Sequence, residues 1–236
     1  MSGVHDGRRA RLRERYLSQG LEGFADHEVV ELLLTYAIPR RDVNDLAHRL
    51  LQHFGGLPAL LEATGAELME VSGMGERTAT LIRLMLDVNR RYLIQRERAE
   101  EPARLGSAGA AGRLFAPYFY GVRVEQVYAA FVDDDLRLIS CRLLFEGSVN
   151  QAAVNLRKLV ETALRDRATG VILAHNHPAG QALPSVEDRE TTLAIRSALN
   201  TVQIRLLDHI IVSGGEYCSM AEGGFLKPEA KSLSYV

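Results

Sequence analysis

The chain has 236 residues, of which 47% are apolar and 25% charged. These globular proportions exclude disorder throughout, because there is enough apolar surface to offset chain ordering. At roughly 100–200 residues per domain, they predict one or two domains. A formal net charge of -2 excludes a whole-chain field that draws in nucleic acid, so any such site must be local. Cys141 and Cys218 are far apart and form no CxxC, which indicates neither a thiolate zinc site nor a disulfide framework. A cytoplasmic, reducing location is expected. No apolar run approaches the roughly 20 residues that span a bilayer, and the arginine-rich N-terminus lacks the apolar core of a signal peptide.

In chain order, the first feature is Arg8-Arg9-Ala10-Arg11-Leu12-Arg13-Glu14-Arg15, with five arginines. The plainer reading is a solvated helix face or frayed end; the sharper one is a phosphate-contacting arm. From Leu21 to about Leu93 the pattern is helical. Asp26 is expected to cap a helix carrying Val29, Val30, Leu32, Leu33 and Leu34, which Pro39 ends. Further helices are predicted near Val43–Phe54, Pro58–Glu62, Ala66–Val71 and Glu76–Tyr92. In the last, Ala79, Leu81, Ile82, Leu84, Met85 and Val88 supply the apolar face. Gln95–Gly112 is poor in large apolar residues and reads as an interdomain linker. Short strands follow at Val127–Val132 and Leu138–Leu144 around the acidic turn Asp133-Asp134-Asp135. Ala152–Arg165 is helical, Gly170–Ala174 a buried strand, Ser185–Leu199 helical, and Ile204–Val212 a final strand or pair of strands. Alternating strands and helices predict a mixed α/β layer domain.

The informative segment is Val171-Ile172-Leu173-Ala174-His175-Asn176-His177-Pro178, followed by Ser185-Val186-Glu187-Asp188. Side chains on a strand alternate with period two, so His175 and His177 point the same way at the strand end. Two adjacent imidazoles there suit a divalent first-row metal. Asp188, in the first turn of the next helix, is placed to return as a third ligand. Two His and one Asp leave a fourth zinc position open, the pattern of a catalytic site. A plainer alternative stands beside this: Ser185 caps the helix, and Asp188 merely favours its dipole.

These residues resemble the JAMM motif of the JAB1/MPN metallopeptidase fold, with His175, His177, Pro178, Ser185 and Asp188 matching position by position. His-Asn-His-Pro-x-Gly together with Leu207-Asp208-His209-Ile210-Ile211-Val212 resembles one branch, the bacterial RadC family. The likeness extends through Gly20–Phe24, Asp26–Leu34, Ile38-Pro39-Arg40 and Phe54-Gly55-Gly56 and covers nearly the whole chain. It implies an α+β two-domain protein: an N-terminal all-α domain, and a C-terminal mixed α/β MPN domain of cytidine-deaminase-like architecture. The boundaries expected are 1–94, a linker at 95–112, and 113–236. The resemblance also implies a catalytic glutamate at Glu125, just before the first strand, with Glu146 in the Phe145-Glu146-Gly147 turn as its rival. One zinc per chain, held by His175, His177 and Asp188, would lower the pKa of a water to about 7. Glu125 would act as base and then acid, and Ser185 would donate to the developing oxyanion. The substrate class implied is a peptide, protein tail or isopeptide. The chain departs from the family at Leu156-Arg157, Ala179 and Arg142, none of them a presumed ligand. For Asp208 and His209 the preferred reading is a satisfied structural pair, the other being that Asp208 orients a ligand histidine.

Val71-Ser72-Gly73-Met74-Gly75-Glu76-Arg77-Thr78-Ala79 matches the helix-hairpin-helix pattern. Two glycines allow a tight turn that offers backbone N–H groups to a phosphate, so Gly73, Gly75 and Arg77, with Arg83, are candidate DNA contacts. Protein contact is the other use of such a turn, and Glu70 and Glu76 would repel phosphate. The function expected is a zinc-dependent metallopeptidase or isopeptidase, in a DNA repair or recombination context. Its competitors are a DNA-binding repair accessory factor whose metal is structural or regulatory, and a protein-interaction domain stabilised by zinc.

Overall fold

A computed structural model describes residues 4–98, 104–147 and 152–226. The chain divides into two compact units, Met1–Asn89 and Arg90–Val236.

The first unit is helical, as its periodicity predicts. It holds α1 (Val4–Gln19), α2 (Asp26–Ala37), α3 (Asn44–Phe54), α4 (Leu57–Glu62), α5 (Gly65–Glu70) and the start of α6 (Glu76–Arg98). Leu34, Ala47, Leu50, Leu60, Ala63 and Leu68 are fully or almost fully buried and form its core. The cap of α2 differs from expectation. Ala25 is the N-cap, Asp26 is the first helical residue, and the Glu28 carboxylate reaches back to the Ala25 N–H at 3.0 Å. Gly55, at φ +80, closes α3 in the left-handed conformation that glycine adopts without a Cβ clash. On α6 the core-facing residues are Ala79, Ile82 and Leu86, whereas Leu84, Met85 and Val88 are exposed. The apolar face is narrower than the sequence implies, with Ala79 and Ile82 joining the core of the first unit.

The arginine run lies on α1, where Arg11 and Arg13 are exposed as on a solvated helix face, while the other three reach α2 and the segment after it. Arg8 places two N–H groups on the Glu31 carboxylate at 2.6 and 2.7 Å, and Arg15 pairs Glu28 at 2.6 and 2.9 Å. Arg9 donates to the Ile38 carbonyl at 2.9 Å and to the Arg41 carbonyl, beyond the C-terminus of α2. Three of the five arginines therefore join α1 to α2.

The second unit is a five-stranded sheet covered on both faces. Its strands are β1 (Gln126–Val132), β2 (Leu138–Glu146), β3 (Gly170–Asn176), β4 (Arg205–Ser213) and β5 (Glu216–Ser219), in the order β2-β1-β3-β4-β5. β3 and β4 run parallel, and the other pairs are antiparallel. The parallel pair is joined through α9 (Val186–Thr201), which packs on one face beside α8 (Ala152–Arg165). Alternation splits each strand between two cores. Ala129, Phe131, Val171, Leu173 and Ile211 join Leu159, Ala163 and Leu199 of these helices. Ala130, Val132, Ile172, Ala174, Ile210 and Val212 meet the opposite layer, made by α7 (Ala108–Phe115) and a 3-10 turn (Ala116–Phe119).

The stretch expected as a linker is largely built into this unit. Residues 95–98 complete α6, and 99–103 lie outside the described residues. Leu105 bonds to the Leu136 carbonyl at 2.8 Å, Ser107 caps α7, and Ala108, Ala111 and Gly112 are buried. The small residues that resemble a flexible linker serve close packing: a Cβ on Gly112 would lie 2.7 Å from the Tyr217 ring. β5 was also missed. Gly214 and Gly215, both at positive φ, form a two-residue hairpin between Ser213 and Glu216, and Gly-Gly was its sequence signal. Cys141 and Cys218 form no disulfide among the described residues. Among the described residues no helix is long and apolar enough to cross a membrane.

Candidate metal centre

β3 carries its apolar residues into the sheet and ends on the histidines. Val171 and Leu173 face α8 and α9, so alternation turns His175, and His177 after it, to the face that carries α9. Pairing with β4 continues past the strand end, where the His177 N–H donates to the Val212 carbonyl at 2.9 Å. α9 then brings Asp188 under the same edge.

The helix start combines both sequence readings. Ser185 is the N-cap, and its hydroxyl accepts the Asp188 N–H at 3.0 Å. In return, Asp188 Oδ2 accepts the Ser185 N–H at 2.8 Å and its hydroxyl at 2.6 Å. This cap does not use up the carboxylate. Oδ1 lies 3.2 Å from His175 Nε2, and Oδ2 lies 3.4 Å from His177 Nε2. One ligand atom from each of His175, His177 and Asp188 lies within 4.8 Å of the others.

Hydrogen bonding argues that this cluster suits a cation. His177 Nδ1 is 3.0 Å from the Gln181 carbonyl, which can only accept, so the proton of the neutral ring sits on Nδ1. His177 Nε2 is then a bare lone pair. It faces His175 Nε2 at 2.9 Å, with a carboxylate beside both. Nitrogen lone pairs at that separation repel unless a proton or metal ion lies between them. Two imidazoles and one carboxylate are the donor set of a catalytic zinc site, and the residues present fit such an ion. Burial pushes the Asp188 carboxyl up, but the adjacent His175 imidazole and the Ser185 hydroxyl and N–H outweigh it and hold the group well below the usual carboxylate range.

Glu125 precedes β1. Val127 pairs with His175 at the last rung of the antiparallel β1–β3 ladder, and Glu125 lies two residues before it, half-buried. Glu146 pairs with Gln126 and accepts its side-chain N–H at 3.0 Å. The backbone around Glu125 is held by Asn176, the residue between the histidines. Asn176 Oδ1 accepts the Gln126 N–H at 2.8 Å, and its amide donates to the Val124 carbonyl at 3.0 Å. The sequence offered no sign of this clamp, because it depends on the β1–β3 register.

Adjacent on β4, Asp208 and His209 face opposite ways and do not pair through their side chains. The Asp208 carboxylate accepts Ser219 Oγ at 2.6 Å, the Ala221 N–H at 3.0 Å and the His209 N–H at 2.7 Å. It does not reach a ligand histidine; His209 does, with Nε2 2.8 Å from His175 Nδ1. Burial, assisted by the neighbouring His175, pushes the His209 imidazole well below its ordinary value.

In the first unit, the turn between α5 and α6 is exposed at Ser72, Gly73, Gly75, Glu76 and Arg77. Gly73 has φ +98, and Gly75 accepts the Thr78 and Ala79 N–H groups at 3.0 Å as the cap of α6. Arg83 is turned away from the turn and donates to the Glu62 and Ala63 carbonyls at 3.3 Å.

A two-faced mixed sheet with this cluster at one strand end defines a JAB-type domain. The chain matches the RadC-like JAB domain over residues 105–225 and the UPF0758 N-terminal family over residues 7–80. It is 39% identical over 220 residues to a UPF0758 protein of Variovorax paradoxus, covering 92% of this chain and 96% of that one. It is 38% identical over 216 residues to a UPF0758 protein of Bordetella petrii, covering 92% and 95%. A UPF0758 protein of Alcanivorax borkumensis is 35% identical over 214 residues, covering 91% and 95%. The chain belongs to the RadC-like JAB domain family.

Proposed function

We propose that this chain is a zinc-dependent hydrolase of amide bonds, acting in the cytoplasm on a peptide or isopeptide. The observation that carries the reading is the convergence of two imidazole lone pairs and a carboxylate at the end of β3. A zinc ion held by His175, His177 and Asp188 would supply Lewis acidity and a water of pKa about 7. Glu125, two residues before the strand partner of His175, accepts the proton of the attacking water at its carboxylate and returns it to the leaving amine. The Ser185 hydroxyl donates its single proton to Asp188 in the resting site and, in the reaction, turns it to the developing oxyanion, while its N–H keeps hold of Asp188. Asn176 keeps the Glu125 segment against the histidine strand.

The test has two stages. Elemental mass spectrometry should find about one zinc per chain, lost in the His175→Ala, His177→Ala variant. Glu125→Gln should keep the zinc and lose at least about 100-fold in turnover of whichever peptide or isopeptide the wild type cleaves. No metal uptake at neutral pH would sink the reading. Full hydrolysis by Glu125→Gln would remove that residue's role alone.

The exposed α5–α6 turn supports a further part of the proposal: backbone N–H groups at the start of α6, with Arg77, contact a DNA phosphate and set the hydrolase in a repair or recombination context. If zinc is bound and no hydrolysis is found, a DNA-binding accessory role with a structural or regulatory metal takes its place.

A further inference from the structure

His209 has no part in the chemistry above, yet it sits directly behind a presumed ligand. It is 4% exposed, and both ring nitrogens are engaged. Nε2 lies 2.8 Å from His175 Nδ1, and Nδ1 lies 2.6 Å from Thr192 Oγ1. Thr192 is fully buried on α9, one turn beyond Asp188, and its hydroxyl is 2.5 Å from the Asp188 carbonyl.

The direction of this chain follows from its fixed end. A carbonyl oxygen only accepts, and two oxygens 2.5 Å apart need a proton between them, so Thr192 donates its single proton to Asp188. The Thr192 oxygen must then accept from His209, which puts the His209 proton on Nδ1. His209 Nε2 is left as a lone pair and accepts the Nδ1–H of His175. The proton of His175 is thereby held on Nδ1, and its Nε2 is bare toward His177 and Asp188. The opposite polarity would protonate the ligand nitrogen and leave the Thr192–Asp188 contact without a proton.

We infer that His209, itself fixed by Thr192, is a positioning residue that selects the metal-binding tautomer of His175 and ties this ligand to the backbone of Asp188. The inference rests on the metal reading for its consequence but not for its geometry. It explains why a histidine is buried at this position of β4. Its ring passes a hydrogen bond between two elements, β3 and α9, that carry different ligands.

The experiment uses the full chain with zinc alone as the probe. Zinc affinity is measured by competition with a chromophoric chelator for the wild type, His209→Leu, His209→Gln and Thr192→Val. The histidine ring tautomers are read by long-range nitrogen–proton NMR in the metal-free protein. Removing such an outer partner weakens metal binding by about 10–100-fold, so His209→Leu should fall in that range. His209→Gln offers both an acceptor and a donor, and should recover most of the loss. Thr192→Val keeps its size and loses the hydroxyl; it should weaken zinc in the same direction and decides the matter if His209→Leu does not fold. In the wild type, His209 should carry its proton on Nδ1, with Nε2 accepting from His175. Unchanged zinc affinity in folded His209→Leu or Thr192→Val, or a wild-type His209 protonated on Nε2 alone, would overturn the inference. If the wild type takes up no zinc, the hydrolase reading fails, and the tautomer in metal-free protein decides this one by itself.

Discussion

Replacing Arg8 by alanine separates structural use of the arginine run from phosphate binding. Glu31 is 2% exposed, and it receives two parallel bonds from Arg8 and one from the Asn44 amide at 2.8 Å. After Arg8→Ala the buried carboxylate keeps only the neutral donor. Removing one partner of a fully buried ion pair costs about 3–5 kcal/mol. The Arg8 side chain is 43% exposed, so water reaches the gap and screens part of that loss. A cost of about 2 kcal/mol remains, which makes opening of α1 from α2 about thirty-fold more frequent. Hydrogen exchange followed by mass spectrometry on peptides from these two helices reads it directly. Adding Glu31→Gln should recover more than half of the effect, because a stranded neutral amide costs less than a stranded charge. Arg11→Ala is the control and should stay within about 0.5 kcal/mol of wild type. Less than a threefold change in exchange for Arg8→Ala, together with weakened DNA binding, would refute the structural assignment and restore the phosphate arm.

Two further outcomes are expected. The Glu28 carboxyl is lowered from 4.5 to about 2, mainly by the Arg15 hydrogen bond and then by the Ala25 N–H. A depressed acid contributes stability above its unfolded value and loses it as pH falls through the folded one. The first unit should therefore weaken between about pH 4.5 and 2, and circular dichroism of Glu28→Gln should show a flatter acid limb; an identical limb would count against this pairing. In the α5–α6 turn, Gly73→Ala should cost about 1–2 kcal/mol, because φ +98 excludes a Cβ. Gly75 has no such constraint and open space around it. Gly75→Asp should thus keep the fold while setting a carboxylate where a phosphate would bind. Unchanged affinity of that variant for duplex DNA at fixed salt would reject DNA contact by this turn.

Legibility was greatest where a local pattern carried the information. The helices of the first unit could be read from periodicity, with α3 stopping at Gly55-Gly56 and α2 at Ile38-Pro39, because these signals act within one turn. The width of the α6 apolar face is not legible in this way, since which of its apolar residues are buried depends on what the tertiary fold sets against them. The Ala- and Gly-rich α7 was taken for linker because small residues signal flexibility and close packing alike. Composition cannot say that a Tyr217 ring lies against Gly112.

The candidate centre shows the same division. His-x-His at a strand end followed by Ser-x-x-Asp at a helix start was visible in sequence, because a strand period of two and a helix cap set those residues locally. Spacing alone does not separate Glu125 from Glu146, and it is the family pattern that favours Glu125; the β1–β3 ladder reaches only to Val127 opposite His175. Nor could sequence alone find the Asn176 clamp or the Thr192–His209–His175 chain, whose members lie 17 to 52 residues apart. Residue types and short spacings determined the donor set by themselves. The direction of each lone pair was decided only when β1, β3, β4 and α9 came together, because a hydrogen bond between distant segments exists only once both are in place.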